Sequence, residues 1–118
     1  MRTIKSDGGG IAVKAEPWVE GKVVAGVFEG AEVLPKCESR KLTFKSNLGT
    51  FAVWETAALA RQVAQMTPGK VYHVECLGKT LETQNGKAWA FDVREAETDA
   101  EAAEFVDAFR IYIAKGGE

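Results

Sequence analysis

Apolar and polar positions alternate through most of the chain. From Trp18 to Leu34, Val23, Ala25 and Val27 alternate with Val24, Gly26 and Phe28, which predicts a long first strand. Gly26 and Gly30 inside it predict a bulge or sharp bend, as a small closed barrel requires. Lys41 to Ser46 sets Lys41, Thr43 and Lys45 against Leu42 and Phe44, a half-buried strand with a basic outer face. After a tight Asn47-Leu48-Gly49 connection, Thr50 to Glu55 sets Phe51 and Val53 against Ala52 and Trp54. The two strands form a hairpin. Phe51 and Val53 are expected to join Leu42 and Phe44 inside, which leaves Trp54 outside with Thr43 and Lys45.

The period then changes. Leu59, Val63 and Met66 fall at helical spacing over Thr56 to Met66; Thr56 caps the start and Pro68-Gly69 ends it. Lys70 to Leu77 reads as a fourth strand, Gly78 to Gly86 as a polar connection closing on the turn signal Asn85-Gly86, and Lys87 to Glu95 as a fifth strand with Trp89 and Phe91 in the core. Thr98 to Lys115 is a second helix, opened by the capping box Thr98-x-x-Glu101 and ended by Gly116-Gly117. Its stripe is Ala102, Phe105, Val106, Phe109, Tyr112 and Ile113. Residues 1–15 read as an arm, with a short strand at Ile11–Lys14; Gly8-Gly9-Gly10 lacks the context of a phosphate loop. Trp18 is expected to pack under a helix.

The order is three strands, a helix, two strands and a helix. An antiparallel sheet of this size leaves edges, and closure into a barrel removes them. The expected fold is therefore mainly β with α: a five-stranded OB-fold barrel over residues 16–96, a helix between strands three and four, and an added C-terminal amphipathic helix over 97–118. Glu20 to Gly30 looks like a first OB strand, Gly69 to Lys79 like a fourth, and Asn85 to Val93 like a fifth. This succession of strand, Leu-Gly-Lys, loop, Gly-Lys and aromatic strand resembles small OB-fold single-stranded-DNA-binding proteins of bacteria and their phages, over about residues 18–96. Such proteins often end in a flexible acidic tail; this chain ends in an acidic amphipathic helix.

Composition fits one ordinary domain: 118 residues, 46% hydrophobic and 27% charged. The net charge of −2 argues at first against nucleic acid. It is uneven, however: residues 1–91 carry twelve basic and nine acidic side chains, and residues 92–118 carry three and eight. An OB-fold binds on strands two and three and on the loops that border them. The cations collect there. Lys36 and Arg40 lie in the first loop, Lys41, Thr43 and Lys45 on strand two, and Lys79 and Lys87 beside the loop between strands four and five, with Trp54 as the aromatic platform. The resemblance implies non-catalytic single-stranded-DNA binding in replication or recombination, in the cytoplasm of a bacterium or phage-infected host. A protein-interaction or phage assembly module on the same barrel is the alternative. Phe105, Phe109 and Tyr112 are the candidate interface residues, for packing on the domain itself, for a homodimer, or for a replication or recombination partner.

Chemistry narrows little further. Cys37, Cys76 and His73 have no metal-ligand spacing, so no metal or cofactor is expected. His73 and Cys76 fall on opposite faces of a strand, and no catalytic motif stands out, so no enzyme is expected. With no secretory signal behind Met1, the thiols are expected to be reduced. No apolar run is long enough to span a bilayer.

Overall fold

The computed structural model describes residues 14–84 and 86–116. Of the arm expected over residues 1–15, residues 1–13 lie outside them, as does the turn residue Asn85; Ala15 is buried. The elements are β1 (Val23–Glu32), β2 (Lys41–Ser46), β3 (Gly49–Trp54), α1 (Ala57–Val63), β4 (Val71–Thr83), β5 (Gly86–Glu95) and α2 (Asp99–Ala114). The strands form one antiparallel sheet in the order β3-β2-β1-β4-β5.

The class is as expected, mainly β with two helices, but the sheet is not closed. Among the described residues β3 and β5 do not pair, and the chain before β1 covers the edge of β3 instead. Glu16 bridges Val53 in parallel, donating to Ala52 O at 3.0 Å and accepting from Trp54 N at 3.1 Å. The Trp18 indole donates to Trp54 O at 2.8 Å, and its ring meets Phe91 of β5 edge-on at 5.0 Å. From the other side, Gln62 of α1 donates to Phe91 O at 3.2 Å. Side chains and a short segment thus bridge the opening between β3 and β5. Trp18, expected at the start of the first strand, lies before it, because Val19–Lys22 turns, with Lys22 N on Val19 O.

β1 is shared by two neighbours. Its first half pairs with β4, from Val23 opposite Glu75 to Val27 opposite Val71, and its second half with β2, where the register shifts between Phe28 and Gly30. The expected bend at the glycines is therefore present. Gly30, at φ +119, sits at the shift, and Gly26 lets β1 approach β2 closely: a Cβ there would lie 2.8 Å from Lys45 O, inside van der Waals contact.

The polar connection expected over Gly78 to Gly86 is mostly strand. β4 runs on to Thr83 and pairs with β5 as far as Thr83 opposite Gly86, its register shifting on each side of Gly78. Gly78 takes φ +87, so the glycine makes an irregularity within the ladder where the sequence suggested its end.

The inner face gathers Val24, Phe28, Leu42, Phe44, Val53, Tyr72, Val74, Cys76 and Phe91, closed below by Leu59, Val63 and Met66 from α1 and the turn after it. Phe28 lies 5.5 Å from Phe44 and 6.1 Å from Tyr72, edge-on to the latter. The Tyr72 hydroxyl accepts from Thr67 N and donates to Glu95, which ties the turn after α1 to the end of β5. Thr56 caps α1 by accepting from Leu59 N. In α2, Thr98 accepts from Glu101 N, and the Glu101 carboxylate returns to Glu97 N.

Candidate nucleic-acid interface

The β2–β3 hairpin sets the expected residues in rows across the sheet. Glu32, Lys41 and Trp54 are neighbours; so are Gly30, Thr43 and Ala52, and then Val27, Lys45 and Thr50. Leu42 and Phe44 are buried between them, so Lys41, Thr43 and Lys45 share the outer face, as the alternation predicted.

That face is narrower than expected. Lys41 is only 7% exposed, because it is flanked on both sides by Glu32 and Trp54, and its alkyl stem is covered. Ala52 is buried too. Lys45 and Thr50 are open to solvent, and Thr43 and Trp54 are half-buried. Arg40 is engaged within the chain: Nε and Nη2 donate to the two carboxylate oxygens of Glu55, at 2.7 and 2.6 Å. That bidentate partner makes the guanidinium hold its proton more firmly than usual. Lys36 stands exposed in the β1–β2 loop with φ +63, which turns the chain sharply there.

Lys79 and Lys87 lie on the β4–β5 hairpin, on the other side of β1 from β2 and β3 in the strand order. Lys87 faces Glu82 at 3.8 Å. The Lys79 ammonium sits 5.5 Å from the centroid of the Trp89 ring, which is half-buried and packs against the core as expected. Alternation within one strand does not reveal this cation–aromatic pair, because it is the register of Gly78 opposite Ala90 that brings the two together.

The expected interface residues are engaged within the chain. Phe109, 2% exposed, meets Phe51 edge-on at 4.8 Å, and Phe105 lies 5.6 Å from His73. Phe51, expected inside the barrel, is half-buried and reaches both the core and α2. Tyr112 stacks beside Phe109. Ile113, counted in the buried stripe, is 40% exposed. Below the last turns of α2 lies a cleft of about 480 Å³ with Lys14, Lys22, Phe51, Phe109, Tyr112 and Ile113 in its walls. Glu16 holds the Lys22 ammonium at 2.9 Å.

Cys76 is fully buried, and burial pushes its thiol up, so it is held protonated in the core; Cys37 is exposed, and both cysteines are free. Among the described residues no group of His, Cys, Asp and Glu is arranged to hold a metal, and no helix is long and apolar enough to cross a membrane. No family model matches the chain, and the comparisons with curated proteins and with solved structures found no match either.

Proposed function

We propose that the chain is an OB-fold protein that binds single-stranded DNA without catalysis, in replication or recombination. The strand order supports the fold reading. β1 is shared between β2 and β4, a helix follows β3, and the sheet is open where an OB barrel would join β3 to β5. The observation that carries the functional reading is the outer face of the β2–β3 hairpin, which sets exposed Lys45 and Thr50 at one end, half-buried Thr43 in the next row, and half-buried Trp54 in the row beyond, beside Lys41. A cation for the phosphate path and a ring farther along the same face are what sequence-tolerant single-strand binding uses. Lys79 over Trp89 offers a second contact of the same composition on the β4–β5 hairpin. The cytoplasm of a bacterium or a phage-infected cell is the expected location, with replication or recombination proteins as partners.

A fluorescence titration with oligo-dT tests this reading, since Trp54 and Trp89 are the reporters. The expected result is quenching that weakens steeply with salt. Lys45→Ala should lower affinity and reduce the salt slope by about one unit. Loss of a stacking ring in Trp54→Ala should cost about 1–3 kcal/mol of binding. No binding at low salt overturns the proposal.

A second reading, a protein-interaction or phage assembly module without nucleic acid, draws support from Arg40, whose guanidinium is already paired with the Glu55 carboxylate within the chain. Capture of a protein partner together with indifference to oligo-dT distinguishes it.

A further inference from the structure

His73 is a group that no role described above uses. Its ring lies under Phe105 of α2, and Nδ1 is sealed from solvent with no hydrogen-bond partner. A neutral imidazole tolerates that position; an imidazolium does not, because both ring nitrogens then carry protons that need acceptors. We infer that His73 makes the seating of α2 on the sheet proton-sensitive: taking up a proton at Nδ1 forces the ring toward water and lifts α2 from β4 and β1. This inference does not depend on what the outer face binds.

The surroundings set the sign. Burial is the largest influence and favours the neutral ring. On β4, Glu75 opposes it; on β5, Arg94, directly across the ladder, reinforces it, and Asp92 opposes it, as does, least of all, the backbone of His73 itself. Arg94 and Asp92 are paired at 3.0 Å and largely offset one another. β1 faces the ring with Ala25 and contributes no charge. On α2, Glu101 is turned back to cap Glu97 N, Asp107 holds Arg110, and Glu104 is exposed to solvent. No acid of α2 therefore bonds to the ring, and the net effect lowers the imidazole below its ordinary value. The seated state consequently binds its proton less readily than the released state. Seating is unaffected well above about pH 6.5. It weakens as pH falls below that value, by at most tenfold per pH unit for a single proton.

Nuclear magnetic resonance on the full chain between pH 7.5 and pH 5 tests this directly. The His73 ring protons report its titration, the Phe51–Phe109 ring contacts report seating, and amide protection over Asp99–Ala114 reports release. The expected result is that ring contacts and α2 protection fall together as His73 titrates, and that His73→Gln flattens the response while keeping α2 seated at both ends of the range. Three results each overturn the inference: His73 titrates while the Phe51–Phe109 contacts stay unchanged; His73 stays neutral to pH 5; or the His73→Gln protein shows the same pH response. The first two are read on the wild-type chain, so they hold even where the variant folds poorly.

Discussion

The two faces of the sheet are finished differently. The inner face is filled by interlocking rings and aliphatic side chains, with α1 laid across it so that Leu59 and Val63 are buried. On the outer face, α2 is more than twice as long as α1, yet Phe109 is its one buried residue. It leaves Ile111 and Ile113 about two-fifths exposed and stands over a cleft and an unpartnered imidazole nitrogen. Length is therefore a poor guide to which helix holds the fold. The short helix is part of the core, and the long one lies along β1 and β4, with Phe105 against His73 and Phe109 against Phe51.

This contrast can be broken experimentally, and the largest effect belongs to the inner face. Phe44→Ala should cost about 4 kcal/mol in denaturant unfolding and affect every probe alike. Gly26→Ala follows at about 3 kcal/mol, because its Cβ would strike the β2 backbone, which cannot move away as a side-chain tip can; a thermal melt is the measurement. Phe109→Ala should lose about 2 kcal/mol and lose it locally, removing hydrogen-exchange protection from α2 while leaving that of β4 in place. If β4 protection falls equally, the two faces form one cooperative unit and the contrast fails. The caps sharpen the point. Thr56→Ala and Thr98→Ala each remove a comparable bond worth about 1 kcal/mol, but only the first should shift the global denaturation midpoint by that amount. Lys45→Ala, on the open part of the outer face, should change stability by less than about 0.5 kcal/mol.

What the sequence revealed followed from how local each signal is. The β2–β3 hairpin, both helices and their threonine caps rest on alternation, helical spacing and neighbouring residues, and they are present, although α1 ends at Val63 and leaves Met66, expected within it, in the turn that follows. The β4–β5 hairpin does not. Leu-Gly-Lys-Thr reads as a loop because glycine and polar residues break the pattern, whereas pairing with a distant strand keeps it extended. The open sheet was hidden for a similar reason: the bond between the Trp18 indole and Trp54 O joins residues 36 positions apart. In the candidate interface, alternation identified the outer-facing side of β2 but not how much of it is open. Lys41 is covered because of what lies on the two adjacent strands, and Arg40 is occupied by a carboxylate fifteen residues away. The Lys79–Trp89 pair needed the hairpin register that the sequence did not supply.

The bridge of Glu16 to β3 has a further consequence. An open antiparallel sheet offers its outermost strand as a template on which another chain can add a strand of its own. Here the Ala52 carbonyl and the Trp54 amide are already bonded to Glu16, and the Trp54 carbonyl to the Trp18 indole. The residues before β1 thus act as a built-in competitor for that edge. A chain lacking the Trp18 indole would lose a buried core ring and, with the Trp54 carbonyl left open, would at high concentration associate edge to edge with copies of itself more readily.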